Sequence, residues 1–269
     1  MAQGRWSNLA ERASTGGLLA VISLMMIWTS QTTFLLEILL FTAVGSSEIF
    51  DLLERRRLRP LRRSGTLCVL SAPLAAYWWG AKGLLSAAMG SFLLLLCLAV
   101  LRYRQRTSMI SDVSASCLHL VYLGVLFPSL VLIRALPQGA AWITLLILLV
   151  SATDTGAYFV GRSLGRVLLC PELSPKKTWE GSLGGLLLPA GIGYLLGPWL
   201  GLLAWQGALL GSGVSLVGQL GDLWESAIKR EVDLKDAGDF LGSHGGILDR
   251  FDSLALASPL FYLALTHWL

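Results

Sequence analysis

Charge is scarce in this chain of 269 residues: only 14% are Asp, Glu, Lys or Arg, against 54% hydrophobic. With a mean hydropathy of +0.65, that scarcity excludes an ordinary soluble domain and points to an integral membrane protein. Cysteine is scarce too. Cys68, Cys97, Cys117 and Cys170 show no C-x-x-C or other ligand spacing, and three lie in apolar runs. They read as small hydrophobes, which argues against a zinc site or a disulfide framework. No internal repeat and no low-complexity tail stands out.

The net charge of +4 and pI near 9 would suggest a nucleic-acid partner in a soluble domain. Here the distribution of charge gives another explanation, and no nucleic acid is expected. Apolar runs of spanning length, about 20 residues with allowance for tilt, fit nine times, near 14–30, 32–50, 65–81, 83–101, 114–134, 139–160, 181–197, 201–228 and 247–268. The fold expected is all-α, a polytopic membrane protein of about nine transmembrane helices. Arg5 and Arg12 before the apolar run from Gly16 resemble the start of a signal peptide. No small-x-small cleavage site follows, so an uncleaved first helix is expected. On this division 19 of the 21 Lys and Arg residues fall on the side of the N-terminus, leaving Lys82 and Arg134 opposite. By the positive-inside rule that side is cytoplasmic, with anionic lipid head groups as the natural partners of its cations.

The two halves differ. Residues 1–140 carry mainly arginine in their loops and read as scaffold and topology. In residues 141–269 ionisable residues enter or border the spans: Asp154, Glu180, Asp222, Glu225, Asp249 and Asp252. Each is a functional hypothesis, because inserting such a group costs several kcal/mol. Asp222 lies seven residues before Lys229, about 10 Å up its helix at 1.5 Å per residue. Asp154 stands equally far from the exit of its span, while Asp249 and Asp252 open the last one. Four carboxylates from three helices are therefore expected in one shallow cytoplasmic layer. Asp222, Glu225, Ser226 and Lys229 share a helix face.

Clustered carboxylates repel unless a cation joins them, and oxygen-only ligands suit a hard ion such as Mg²⁺. Lys176, Lys177, Lys229, Arg230, Lys235 and Arg250 lie beside them like an anion clamp. Gly245 and Gly246 precede a helix start, where free N–H groups favour phosphate. The combination points to phosphoryl or nucleotidyl chemistry on a nucleoside triphosphate. His119 and His267 read as structural.

Four segments, in order, resemble the phosphatidate cytidylyltransferases (CDP-diacylglycerol synthases). They are Asp154-Thr-Gly-Ala-Tyr158 with Gly161-Arg162; Ser174-Pro-Lys-Lys-Thr-Trp-Glu-Gly181; Gly221-Asp-Leu-Trp-Glu-Ser226; and Ser226-Ala-Ile-Lys229-Arg230 with Lys235-Asp236 and His244-Gly-Gly-Ile-Leu-Asp-Arg-Phe-Asp252. One departure is Leu241-Gly242-Ser243-His244, where the family commonly has Leu-Pro-Gly-His; it bears on loop rigidity. The resemblance implies CTP and phosphatidate as substrates, CDP-diacylglycerol and pyrophosphate as products, and a bacterial inner membrane as the setting. It also allows a homodimer. Within that resemblance Asp222 and Asp249 are the expected Mg²⁺ ligands, with a second cation as an option, and Asp154, Lys229, Arg230 and Asp252 are expected in the catalytic group. Ser174, Lys176, Lys177, Glu180, Lys235, His244, Gly245, Gly246 and Arg250 are expected to bind substrate. A transporter, and a CTP-using enzyme acting on another lipid such as a polyprenol kinase, are the rival readings.

Overall fold

The computed structural model describes residues 3–103, 109–234, 237–238 and 245–269, with 3–15 as backbone alone. Helices α1 (Gln3–Thr29) and α2 (Gln31–Arg55) meet at a single residue, Ser30. Its hydroxyl accepts the N–H of Thr33 while the Thr33 hydroxyl accepts that of Ser30. This reciprocal cap lets one helix end and the next begin without orphaned donors. The boundary expected between the spans ending near 30 and beginning near 32 is therefore real.

Helix α3 (Arg62–Leu101) breaks at Gly80, where φ is 61° and ψ −148°. Only glycine adopts that pair readily, and the chain doubles back tightly enough that a Cβ on Gly83 would meet the Ala75 carbonyl. The boundary expected between spans ending at 81 and beginning at 83 falls at this turn. Next come α4 (Met109–Val121), a π-helical turn (Tyr122–Leu126) and α5 (Ser129–Ala135), followed by α6 (Gly139–Leu164). An antiparallel hairpin, β1 (Leu168–Cys170) and β2 (Ser174–Thr178), precedes α7 (Trp179–Leu196); α8 (Ala204–Glu231) and α9 (Leu248–Trp268) complete the fold.

This is an all-α membrane protein with one small hairpin that hydropathy did not foresee. Among the described residues, five helical runs are long and apolar enough to cross a membrane: Gln31–Arg55, Arg62–Leu101, Met109–Ala135, Gly139–Leu164 and Trp179–Leu200. The apolar part of α1, Gly16–Thr29, is shorter. Helices α8 and α9, which carry most of the expected site, fall outside that set.

Small residues set the packing of the second half. A Cβ on Gly193 would stand 2.0 Å from the Gly207 carbonyl oxygen, and one on Gly211 2.1 Å from that of Pro189. Gly193, Gly207 and Gly211 are thus the points at which α7 and α8 touch. Pro189 leaves the Gly185 carbonyl without its helical donor, and Ser215 of α8 supplies one at 2.7 Å. Pro259 does the same to Ala255, which accepts from Ser258 at 3.1 Å. Both repairs satisfy backbone that lipid could not.

Helix α9 is where the two halves meet. Its Phe251 ring lies 4.6 Å from Phe41 of α2 and 5.7 Å from Phe127, and Phe261 lies 6.2 Å from Trp142 of α6. Trp142, Phe127 and Phe261 are among the largest fully buried side chains. His119 is buried against Phe50 at 4.2 Å and contacts the Ser46 hydroxyl at 2.9 Å, a structural setting as the sequence suggests.

Candidate active site

The hairpin forms because Pro171 pre-sets the turn between Cys170 and Leu173, closed by the Leu173 N–H on the Cys170 carbonyl at 3.2 Å. It pairs Leu168 with Thr178 and Cys170 with Ser174. The Thr178 side chain then caps α7 by accepting the Gly181 N–H at 3.1 Å. Ser174, Lys176 and Lys177 therefore sit on a strand anchored at both ends. Lys176 is exposed. Lys177 points inward and pairs with Asp222 of α8. Both partners are about one-third exposed, at 29% and 34%, and pairs of that kind contribute only about 0–1 kcal/mol. Stability does not explain this pair; it fixes a cation beside a carboxylate at the edge of a cavity.

That cavity, about 230 Å³, is lined by Asp154, Tyr158, Lys176, Lys177, Gln219 and Asp222 among others. Asp154, on α6, feels the charges of Asp222, Asp252 and Lys177. It also lines a second cavity of about 470 Å³. The walls of that one are mostly apolar, from Leu19, Leu24, Ile147, Val150, Phe251 and Leu254, with Arg250 and Ser23 as further polar groups. Asp154 is thus common to a charged chamber and a greasy one. Close helix packing makes this arrangement possible: a Cβ on Gly156 would fall 2.5 Å from the Gly184 carbonyl oxygen, and one on Gly221 2.7 Å from that of Asp252.

One helical turn past Asp222, Glu225 is buried and Lys229 nearly so. The Lys229 ammonium donates to Asp249 of α9 at 2.6 Å and lies 3.4 Å from Glu225. The Glu225 and Asp252 carboxyl groups lie close enough to act on one another electrostatically, and two carboxylates so placed need a proton or a cation between them. Asp249 is fully engaged: its second oxygen accepts the N–H groups of Ala237 and Gly246 at 2.9 and 2.8 Å. Arg230 is exposed and reaches the hairpin turn at the Leu173 carbonyl, 3.4 Å away.

The start of α9 corrects one piece of sequence reasoning. Gly245 and Gly246 do precede a helix, but the N–H groups there already face carboxylates. Gly246 donates to Asp249, and Ile247 and Leu248 each donate to Glu48 of α2 at 2.9 Å. A side-chain anion stands where a phosphate was expected. Glu180 likewise has backbone partners, accepting from Arg166 and Val167 at 3.1 and 3.3 Å, so in the structure it ties down the segment before the hairpin. Lys235 and His244 lie outside the described residues.

Glu48 is the residue sequence reasoning passed over. It belongs to the half read as scaffold, yet the rule applied to Asp154 and Asp222, an ionisable group inside an apolar run, applies equally to it. Tyr122, in the π-helical turn, is a second contribution from that half, lying within electrostatic range of Glu225 and Asp252.

The donor chemistry suits a hard divalent cation. Asp154, Asp222 and Asp252 are oxygen donors from three helices whose charges act on one another, and such groups favour Mg²⁺ over softer ions. Among the described residues, no three His, Cys, Asp or Glu side chains converge closely enough to enclose an ion. Asp249 could join such a site by sharing an oxygen that already accepts from Lys229 or the loop N–H groups.

The comparisons with known proteins agree with this geometry. The family model described as "Cytidylyltransferase family" matches residues 10–268. The phosphatidate cytidylyltransferase of Bacillus subtilis (strain 168) is 35% identical over 271 residues, covering 96% of this chain and 98% of its own. That of Synechocystis sp. (strain ATCC 27184 / PCC 6803 / Kazusa) is 33% identical, over 85% of this chain and 87% of its own. In Brucella suis biovar 1 (strain 1330) the enzyme of the same name is 42% identical over 54% of each chain. A membrane protein with clustered carboxylates and inward-facing lysine at one cavity, matched along nearly its whole length, belongs to the phosphatidate cytidylyltransferases of the cytidylyltransferase family, and is a nucleotidyltransferase enzyme.

Proposed function

We propose that the protein transfers the cytidylyl group of CTP to phosphatidate in an Mg²⁺-dependent reaction, giving CDP-diacylglycerol and pyrophosphate for phospholipid synthesis. The observation that carries this reading is the pair of cavities sharing Asp154, one lined by Lys176, Lys177 and Asp222 and the other mostly apolar. A water-soluble triphosphate suits the first, and the glycerolipid suits the second while its acyl chains stay among lipids.

The chemistry needs no enzyme nucleophile. An oxygen of the phosphatidate phosphate attacks the α-phosphorus of CTP in line, the new P–O bond forms, and the bond to the β-phosphate breaks with release of pyrophosphate. Lys176, Lys177, Lys229 and Arg230 neutralise the phosphates, with Lys235 and Arg250 supporting them. Ser174 and His244 bind phosphate or ribose. Gly245 and Gly246 let the loop approach closely, and Glu180 holds the hairpin that presents the lysines. Asp222 and Asp249, with Asp154 and Asp252 beside them, would hold Mg²⁺, which when bound would supply charge stabilisation at the transferring phosphorus. Purified protein incubated with CTP and a panel of phosphatidate, a polyprenol and an archaeol phosphate should consume CTP with phosphatidate. Turnover with the polyprenol alone would favour a kinase.

Two further expectations arise here. Changing Lys176 and Lys177 together to alanine should weaken CTP use without altering insertion. Losing charge-assisted hydrogen bonds worth about 1.5–3 kcal/mol corresponds to roughly a tenfold to hundredfold rise in the KM for CTP. Unchanged KM and kcat would return the lysines to a purely topological role; Arg162→Ala and Arg166→Ala control for charge alone.

The second concerns the membrane. Nine spans with a cytoplasmic N-terminus and site, in a bacterial inner membrane, follow from the 19-to-2 division of cations. A reporter after Leu269 should then be outside the cytoplasm and one within residues 55–63 inside it. Both on one side would remove the nine-span arrangement. Residues 141–269 form the catalytic half in this reading, and a homodimer is compatible with it.

A further inference from the structure

We infer that Glu48 is a positioning residue for the transfer reaction: from the second helix, it holds the first turn of α9 and so fixes Asp249, Arg250 and Asp252. The local sequence gives α9 no cap of its own, since Ile247 at the N-cap forms no side-chain cap bond. An uncapped helix start leaves donors unsatisfied, and the missing acceptor comes from about 200 residues earlier. Each Glu48 oxygen takes one N–H, Oε1 from Ile247 and Oε2 from Leu248, both at 2.9 Å. Only 6% of Glu48 is exposed, so water does not compete for those bonds.

The glycines around the carboxylate fit the same role. A Cβ at Gly238 or Gly246 would stand 2.7 Å from a Glu48 oxygen, so both described edges of the intervening loop are glycine where they pass Glu48. Asp249 clasps the loop from the other side through Ala237 and Gly246. Two carboxylates thus grip this loop, one from within the site and one from the N-terminal half. The alternative, that Glu48 only stabilises the fold, makes different claims about turnover and repair.

The test uses the full chain in detergent or liposomes, and its activity readout rests on the cytidylyl-transfer reading. Glu48→Gln keeps the shape but replaces one acceptor with an NH₂ group facing an N–H. It should insert normally and lose kcat by about tenfold to hundredfold, the equivalent of one unsatisfied buried donor, with the KM for CTP little changed. Glu48→Ala should behave alike. Gly246→Asp alone should also be defective, since its side chain would collide with Glu48. Combined with Glu48→Ala, the new carboxylate points into the vacated position and can accept the Leu248 N–H as an Asx turn. The double variant should therefore recover the backbone protection of this turn over Glu48→Ala, whatever its turnover, since Gly246 also belongs to the substrate-binding group.

Hydrogen exchange provides a readout independent of the reaction. Peptides covering residues 245–252 should exchange faster in Glu48→Ala and slow again in the double variant. Near-normal kcat in Glu48→Gln, or a kcat loss that merely tracks lost thermal stability, would overturn the inference. Should the wild-type protein transfer no cytidylyl group at all, the reading of its function fails instead. Unchanged exchange at 245–252 in Glu48→Ala would then sink the positioning role by itself.

Discussion

Asp222→Asn should leave the protein inserted and folded and reduce cytidylyl transfer by several orders of magnitude. The substitution keeps shape and hydrogen-bonding capacity while removing one formal charge. Metal-bound charge stabilisation at a transferring phosphorus is worth several kcal/mol, and each 1.4 kcal/mol is about tenfold in rate. Stability should move little, because the Lys177–Asp222 pair is about one-third exposed and worth at most about 1 kcal/mol. The separation of the two effects is the point: a residue kept for stability would show the reverse. Asp233→Asn is the matched control. Asp233 is exposed just beyond α8 at a φ of 56°, which asparagine tolerates, so its activity should stay near wild type. Near-normal turnover of Asp222→Asn at saturating Mg²⁺ would remove Asp222 from the site.

Lys229→Ala should be damaging in another way, by destabilising the fold as well as abolishing turnover. Its ammonium sits between Asp249 at 2.6 Å and Glu225 at 3.4 Å, with side chains only 13%, 10% and 6% exposed. Removing one partner of a buried ion pair leaves the other charge uncompensated, at about 3–5 kcal/mol. Here one lysine serves two carboxylates, and Glu225 Oε1 has no hydrogen-bond partner among the described residues. Thermal inactivation in detergent should therefore occur at markedly lower temperature in Lys229→Ala. Asp249→Asn in the same background should recover part of the stability, because it removes the stranded charge. An unchanged thermal midpoint for Lys229→Ala would show that water reaches these carboxylates and that the pair is not buried in effect.

The contrast between Asp222 and Lys229 shows what sequence can carry. Both lie on one helix face, as their spacing of seven residues requires, and both were legible as members of a site. Their division of labour was not, because it depends on partners from other elements: Lys177 from a hairpin for one, Asp249 from α9 for the other. The hairpin itself escaped because its strands are only three and five residues long, one apolar throughout and the other polar, with none of the hydrophobic alternation that marks a half-buried strand. The reading of α9 erred for a related reason. Local sequence shows free N–H groups at a helix start, but only tertiary structure reveals that Glu48 fills them.

Helix boundaries were far more legible. Ser30 and Gly80 are short-range signals, a cap and a residue tolerant of positive φ, and they act where hydropathy alone leaves the division open. The glycines of α7 and α8 take their meaning from which helices touch, and spacing along the chain does not show that. Glu48 had the same ionisable-in-apolar signature as Asp154. It falls in the half whose arginine-rich loops describe topology so well that the helices between them read as scaffold.

The most direct test of the central claim follows the two ends of CTP separately. Protein reconstituted with phosphatidate is given CTP labelled either at the α-phosphate or at the γ-phosphate, and the lipid and aqueous phases are counted for wild type and Asp222→Asn. Cytidylyl transfer requires the α-label in the lipid, the γ-label in released pyrophosphate, and loss of both signals in the variant. Gamma-label in the lipid, or α-label transfer that persists undiminished in Asp222→Asn, would contradict it.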